Sequence, residues 1–293
     1  MQRPGSRSKV LRVAYDLYLS YSGRRSYLTC PRKYHFMYIL KESLRKDPRK
    51  ALLGNIIGKI FQWFYERRAW ATADPVFTTM SYIDGATRVI FEQEKFDAAT
   101  DPAFCTLLRQ DLLKYVPQGV EIIRSNELLS AQSSAELDLS VEYTSPKHGM
   151  TLKIGGRSDF THVKGDKNIW LMDGKASKHR EKYVDAEQLI WYAVQHYIKY
   201  HIAPTRLGFM FWCFPEDPIK WISYDNTAIR ASLDKTFEVA KKIQLKQFEA
   251  TPSGECHRCE FAHKCDDGQR YVAKRKVETG GRIESSIFDL EQV

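Results

Sequence analysis

The sequence predicts a mixed α/β fold with a mixed central sheet, and three changes of pattern along the chain support this prediction. Apolar residues first recur every three or four positions, then alternate or form short unbroken runs, and then return to helical spacing. The predicted order is helices, three strands, a helix, two strands and a helix. With 43% hydrophobic residues, the 293-residue chain can bury a core, which excludes disordered, collagen-like and small disulfide-framework proteins.

The first half of the chain is predicted to be mostly helical. Residues 51–71 carry their apolar side chains on one face, which indicates an amphipathic helix. Two further helices are predicted over residues 82–95 and 103–130. Because Pro117 and Gly119 disfavour a continuous helix, we expect a bend or a short loop in the last of these.

The middle of the chain is predicted to form strands. Residues 137–143 alternate between apolar and polar, and the turn-forming residues 145–149 predict a hairpin whose second strand runs from 150 to about 163. The unbroken apolar run 169–172 is typical of a central, buried strand. The remaining predicted elements are a helix over 183–201, strands over 206–214 and 219–224, and a helix over 228–250.

The positive charge is concentrated near the start of the sequence. The formal net charge is +9, and residues 1–50 contain 13 Lys and Arg against three Asp and Glu. Such a segment can be a solvated surface, but tyrosines among the cations also suit contacts to phosphates and stacking on bases. The candidate nucleic-acid contacts are Arg24, Arg25, Arg32, Lys33 and Tyr34.

No membrane span is predicted. The longest apolar run, residues 207–214, is far shorter than the about 18 residues that a span needs. The first residues are charged and lack the apolar core of a secretory signal. We therefore expect a cytoplasmic protein in a reducing compartment, without disulfides.

Two predicted neighbouring strands bring carboxylates and an amine together. Asp159 lies on the second strand, and Asp173 and Lys175 flank Gly174 at the end of the third. Residues two apart share a face of a strand, so Asp173 and Lys175 can face one site while the Gly174 carbonyl supplies a further oxygen. Carboxylate and carbonyl oxygens are ligands that Mg²⁺ or Mn²⁺ prefers.

Taken singly, these residues have ordinary explanations as a turn residue, a solvated lysine and a capping aspartate. Their combined position after a buried strand favours a site. On the next predicted helix, Gln188 and Tyr192 are four residues apart and share a face, where they can hold the strand ends or a substrate, or simply belong to a partly buried helix.

Three cysteines near the end of the chain have metal-ligand spacing. Cys256, Cys259 and Cys265 form a C-x2-C-x5-C triplet, and Cys30 is the best candidate for a fourth ligand. Four thiolates indicate an iron–sulfur cluster or zinc. Zinc has its own support, because His257 and His263 lie inside the triplet and can replace Cys30. The two other cysteines, Cys105 and Cys213, are predicted to be buried thiols.

Taken together, the motifs resemble the iron–sulfur PD-(D/E)XK exonucleases, which include the CRISPR-associated RecB-like exonuclease and the nuclease domain of the AddB-type subunit. The resemblance covers about residues 20–267. It is carried by Ser22, Cys30-Pro31-Arg32-Lys33-Tyr34, Leu53-Gly54, Gly156-x2-Asp159, Asp173-Gly174-Lys175, Gln188-x3-Tyr192 and the cysteine triplet.

The resemblance implies a restriction-endonuclease-like core, a [4Fe-4S] cluster on the four cysteines, and metal held by Asp159, Asp173 and the Gly174 carbonyl. It also implies catalytic roles for Lys175, Gln188 and Tyr192. One position departs from the family pattern, because Gly58 stands where a metal-binding His is usual. Glu136, just before the predicted first strand, is either a further acidic contributor or a solvated strand start.

The leading hypothesis is therefore a metal-dependent DNase, expected to be an exonuclease on single-stranded or end-exposed DNA. The alternatives are a catalytically weak DNA-binding adaptor that recruits a helicase or CRISPR integrase, and a zinc-stapled α/β protein of unrelated function. The expected organisation, packed as one domain, is a basic segment (1–50), a helical region (51–130), a nuclease core (131–250), a cluster loop (251–270) and a polar tail (271–293).

Overall fold

The computed structural model describes residues 17–42, 47–165 and 167–278, and in these ranges eight strands form two sheets. In chain order the strands are β1 (Tyr18–Ser20), β2 (Ser134–Asp138), β3 (Val141–Ser145), β4 (Met150–Gly155), β5 (Arg157–Val163), β6 (Ile169–Lys175), β7 (Arg206–Phe211) and β8 (Ile219–Ile222). The larger sheet has the order β2-β5-β6-β7-β8, and the smaller has the order β1-β4-β3.

Nine α-helices are described in the same ranges. They are α1 (Tyr21–Thr29), α2 (Pro31–Tyr34), α3 (Arg49–Glu66), α4 (Pro75–Met80), α5 (Ile83–Glu94), α6 (Pro102–Ser125), α7 (Ala186–Tyr200), α8 (Asn226–Gln244) and α9 (Asp266–Glu278). None of the described helices is both long enough and apolar enough to cross a membrane.

The five-stranded sheet separates two hydrophobic cores, and the predicted mixed α/β fold is confirmed. On one face, α3, α5 and α6 pack against strand residues such as Phe160 and Met172. On the other, α1, α7 and α8 pack against residues such as Leu171 and Phe209. The apolar run 169–172 forms most of the central strand β6, as predicted.

The sheet is mixed because one pair of neighbouring strands is parallel. β6 and β7 run in the same direction, and α7 forms the crossover between them, as parallel strands require. The other pairs of this sheet are antiparallel. The crossover places the start of α7 near the end of β6.

The predicted interruption of the third helix is wrong, because α6 runs unbroken through Pro117. A proline removes one backbone hydrogen bond, but buried residues on both sides of it, including Tyr115, Val116 and Val120, hold this helix against the core. A Cβ atom on Gly119 would lie only 2.4 Å from the Phe61 ring. The glycine therefore permits close packing of α6 on α3 rather than ending the helix.

Two predicted strands are each divided between the two sheets. The hairpin turn at residues 145–149 is confirmed and joins β3 to β4, but β2 pairs with β5 in the larger sheet. At the crossing point the Leu139 N–H donates to the Gly156 carbonyl at 3.0 Å. Since the apolar alternation from Leu137 to Tyr143 continues across the first break, the sequence pattern does not reveal the change of sheet there.

The chain after α8 returns to the first helices. α8 ends at Gln244 rather than at residue 250, and the following segment contacts α1 and α2. Tyr27 donates to the Gln247 carbonyl at 2.6 Å, and Arg32 Nε donates to the Phe248 carbonyl at 2.9 Å. Residues 271–278 of the predicted tail belong to α9, whereas residues 279–293 lie outside the described ranges.

Arg24 joins α1 to α7 and α8 from a buried position. Its side chain is 2% exposed, and its guanidinium pairs with Glu187 at 2.7 Å. The other terminal nitrogen donates to the Ser232 carbonyl and hydroxyl at 3.0 and 2.9 Å. The group also lies 5.0 Å from the Trp191 ring centre. These contacts satisfy both terminal nitrogens of a charge that would otherwise be costly to bury, whereas Nε has no hydrogen-bond partner among the described residues.

Replacing Arg24 should therefore destabilise the fold. We expect Arg24→Ala to lower the free energy of unfolding by about 2–3 kcal/mol, because buried hydrogen bonds to a charged group are lost. Arg25→Ala is the matched control, since that side chain is 66% exposed, and its change should stay below about 0.5 kcal/mol. Urea unfolding of both variants tests this, and equal losses would contradict it.

Candidate active site

The candidate site lies where β5 and β6 stop pairing. The register of the two strands extends as far as Phe160 opposite Met172. Just beyond that pair, Asp159 reaches across to β6, and its Oδ2 accepts the Gly174 N–H at 2.8 Å. The carboxylate thus replaces a backbone partner at the point where the strands separate.

Gly174 occupies a tight position between the site and the core. A Cβ atom at this residue would meet the rings of Phe160 and Trp212 at 3.2 Å. In an extended strand the N–H and C=O of one residue point to the same edge, so the Gly174 carbonyl also faces β5. A larger residue at this position would have to displace these rings, or the Gly174 backbone with its carbonyl would have to shift.

Asp173 is held from two sides. Its Oδ1 accepts hydrogen bonds from Gln188 Nε2 at 2.7 Å and from the Tyr192 hydroxyl at 3.2 Å, both on α7. Its Oδ2 forms an ion pair with Lys175 Nζ. Lys175 also donates to Gln188 Oε1 at 3.4 Å. The structure therefore brings together Asp159, Asp173, Lys175, Gln188 and Tyr192, as the sequence predicted.

Burial makes the two carboxylates unfavourable as free anions. The pKa of Asp159 is raised well above its ordinary value, chiefly by burial and next by the charge of Asp173. Burial also raises the pKa of Asp173, although Lys175 opposes that shift. Burial raises the pKa of the Tyr192 phenol, which keeps it a neutral hydrogen-bond donor. A cation between the carboxylates would relieve their repulsion.

The donor set fits a hard divalent cation with water ligands. Asp173 Oδ2 is buried and has no hydrogen-bond partner among the described residues, apart from its ion pair with Lys175. Within those residues, no group of three or more His, Cys, Asp or Glu side chains is arranged to hold a metal ion. The carboxylate oxygens of Asp159 and Asp173 and the Gly174 carbonyl are oxygen donors, which suit an ion such as Mg²⁺ that takes a few protein oxygens and keeps several waters.

A basic, aromatic loop follows the site directly and was missed by the sequence reasoning. Lys178 and Tyr183 are exposed in the segment between β6 and α7. Arg180 anchors this loop through Asp217 at 2.6 Å and through the ring of Phe211, 5.4 Å away. The sequence feature that could have identified this loop is the concentration of cations, together with a tyrosine, in the eight residues after Lys175.

Two of the five predicted nucleic-acid contacts are wrong. Arg24 is buried against α7 and α8, and Tyr34 is 3% exposed and stacked on Tyr38, so neither can meet a strand. Arg25 is exposed and lies 3.1 Å from Asp185, beside the basic loop. The other two residues, Arg32 and Lys33, are partly exposed next to the cysteine segment.

The four predicted cysteines line one cavity. Cys30 precedes α2, and Cys256, Cys259 and Cys265 follow α8. Each thiol accepts a backbone N–H: Thr251 donates to Cys30 at 3.5 Å, Ser253 to Cys256 at 3.4 Å, Gly268 to Cys265 at 3.4 Å, and Phe261 to Cys259. Burial raises the pKa of the Cys259 thiol, and the backbone donor from Phe261 opposes that shift.

The two histidines considered as zinc ligands do not line the cysteine cavity. His257 and His263 are exposed and line a separate surface depression, in which Cys256 is the only cysteine among the described lining residues. Cys30 therefore shares the cavity with the triplet, whereas the histidines do not line it. Cys105 and Cys213, predicted to be buried, are each partly exposed.

A family model described as the PD-(D/E)XK nuclease superfamily matches residues 18–266, a range that contains every candidate residue above. A search of curated proteins finds no match. One matching solved structure, "Crystal structure of SSO0001", is 15% identical, covers 87% of this chain and 88% of its own, and superposes with a TM-score of 0.37.

The raised pKa of Asp159 leads to a test of stability in metal-free protein. A group whose folded-state pKa is raised stabilises the fold below its ordinary pKa, and this contribution is lost as pH rises through the raised value. We expect Asp159→Asn to raise the Tm at about pH 8 by about 2–4 °C, and the gain to shrink towards about pH 4.

Asp138→Asn is the matched control, because Ser140 lowers the pKa of that exposed carboxyl. Its replacement should not raise the Tm at either pH. Thermal unfolding in the presence of a chelator measures both variants, and a lower Tm for Asp159→Asn at the higher pH would contradict the expectation.

Proposed function

Because the chain belongs to the PD-(D/E)XK nuclease superfamily, we propose that it is a metal-dependent DNA nuclease that acts as an exonuclease on single-stranded or end-exposed DNA. The observation that carries the proposal is the convergence of Asp159, Asp173 and Lys175 at the divergence of β5 and β6. A hydrolytic site needs acidic oxygens for a cation and a positive group for developing charge, and these residues supply both.

Mg²⁺ or Mn²⁺ would be held by the carboxylates of Asp159 and Asp173 and by the Gly174 carbonyl. When bound, the ion would stabilise charge on a phosphoryl oxygen and lower the pKa of a water. Gln188 and Tyr192 fix Asp173 through its Oδ1, and Lys175 pairs with Oδ2, the oxygen that would contact the ion. Gln188 and Tyr192 therefore position the carboxylate.

Lys175 provides the positive charge of the site. Its amine is held by Gln188 Oε1 and lies 5.6 Å from the centre of the Phe209 ring. From this place it would orient the attacking water and offset the negative charge that develops on the scissile phosphate. A preorganised cation in a partly buried site is worth more than one in water.

The substrate would approach over the loop between β6 and α7. Lys178 and Arg25 can contact phosphates, and the ring of Tyr183, 48% exposed, can stack on an unpaired base. This arrangement favours a single strand, since a base inside a duplex is not free to stack on a side chain. Arg32 and Lys33 remain candidates for contacts farther along the strand.

The four cysteines are proposed to hold a [4Fe-4S] cluster that joins the two ends of the described fold. The shared cavity and the four N–H donors to sulfur support this donor set. The cluster's proposed role is structural, because it would tie α2 to the segment before α9. Zinc on the same four thiolates is the alternative that metal analysis distinguishes.

Cleavage of end-labelled DNA tests the proposed activity. We expect wild-type protein to cleave single-stranded DNA with Mg²⁺ or Mn²⁺, and Lys175→Ala and Asp173→Asn to lower the rate at least about 100-fold. Lys220→Ala, an exposed lysine on β8, is the matched control and should retain the wild-type rate.

Unchanged cleavage by Lys175→Ala and Asp173→Asn would refute the proposed site. If wild-type protein binds DNA without cleaving it in either metal, the adaptor hypothesis is favoured instead, with a helicase or integrase as the partner.

Anaerobically purified protein tests the cluster. We expect a brown colour, a visible absorbance band and about four iron atoms per chain, all lost in Cys259→Ser. Cys105→Ser is the matched control, because Cys105 lies outside the cysteine cavity and its thiol donates a hydrogen bond to the Ala98 carbonyl. Colourless protein that contains zinc in place of iron would overturn the cluster assignment.

A further inference from the structure

Glu136 lies directly opposite Asp159 in the larger sheet. The neighbouring pairs are Ala135 with Phe160 and Leu137 with Ser158, so the register places Glu136 across from Asp159. Glu136 itself has a φ of +57°, and it stands between the regular pairs on either side of it. Glu136 is therefore part of β2 and adjoins the candidate site, rather than preceding the first strand of the sheet.

The carboxylate of Glu136 also reaches the space above Gly58 on α3. A Cβ atom built on Gly58 would have only one neighbour within 4 Å among the described residues, Glu136 Oε1 at 3.9 Å. A side chain at position 58 would therefore extend into the place where the glutamate oxygen lies. The glycine leaves this place open to a group from β2.

The backbone at Glu136 is strained within its strand. Its φ is +57°, a left-handed conformation that a glutamate rarely adopts, and here it occurs between paired residues. Strained residues persist where the surroundings hold them, often at functional sites. One carboxylate oxygen, Oε2, accepts from Arg157 at 3.1 Å, and Oε1 is the oxygen next to Gly58.

We propose that Glu136 supplies a third carboxylate to the acidic site and hydrogen-bonds a water ligand of the divalent cation, in the space left open by Gly58. This inference rests on the proposed function. Contact through water agrees with the positions of the side chains, because the described carboxylates do not form a closed three-ligand set and Mg²⁺ keeps several waters.

A feature beyond Glu136 itself also points to a cation. Asp173 is 2% exposed, and its buried Oδ2 has only the ion pair with Lys175 among the described residues. Three carboxylates held close together are costly without sufficient positive charge, and a divalent ion would offset that cost.

Binding of Mn²⁺ to the full chain, measured by the EPR signal of free Mn²⁺, tests the proposal. We expect Glu136→Gln to weaken the Mn²⁺ Kd at least about tenfold, as loss of an outer-shell carboxylate does. Glu142→Gln, an exposed glutamate on β3, is the matched control and should bind as wild type does. Thermal unfolding of both variants checks that they fold.

A second pair of variants tests the spatial equivalence of the two positions. His at position 58 would project towards the site of the Glu136 carboxylate, so Gly58→His added to Glu136→Gln should recover most of the lost affinity. Gly58→Ala in the same background adds no ligand and should recover none. Equal affinities of these two double variants would overturn the claim that the groups share one place.

The outcomes separate this inference from the function on which it rests. If Asp173→Asn abolishes Mn²⁺ binding and Glu136→Gln stays within about twofold of Glu142→Gln, the inference alone is overturned. If wild-type protein and Asp173→Asn bind Mn²⁺ equally, the proposed metal site is overturned, and the role of Glu136 falls with it.

Discussion

Two carboxylates of the same charge lie where β5 and β6 separate, Asp173 buried and Asp159 partly buried, and the surrounding structure must compensate them. The Gly174 N–H serves Asp159, and Gln188, Tyr192 and Lys175 serve Asp173. Two of these donors come from the start of α7, the helix that links the parallel strands β6 and β7. The helix α7, which connects two strands of the sheet, thus also supplies two hydrogen-bond donors to Asp173. The fold and the candidate site therefore depend on the same helix.

The start of α7 also organises the first helices of the chain. Glu187, one residue before Gln188, pairs with the buried Arg24, and Asp185 pairs with Arg25. Consecutive residues of one helical turn therefore face the acidic site and α1. These ion pairs connect α1 to the helix that holds Asp173, although Arg24 and Glu187 are 163 residues apart in the sequence. The basic segment is in this way part of the support of the site.

Much of the core and the convergence of the site could be predicted from the sequence, because short-range patterns determine them. The run 169–172 indicated the central strand, and the spacing of Gln188 and Tyr192 placed both on one helix face. The errors concern long-range packing. Pro117 stays helical because the core holds α6, and Arg24 is buried because partners 163 and 208 residues away satisfy it. Neither partner can be identified from local spacing.

The contact between the Thr251 N–H and Cys30 joins residues 221 positions apart. At about 5–20 residues per second, the ribosome would need roughly 10–45 s to make the intervening chain. During that time Cys30 has none of its later neighbours, and α1 and α2 lack the segment against which Tyr27 and Arg32 are bonded. The cysteine cavity can consequently form only after the segment that contains Thr251 and the cysteine triplet has been synthesised.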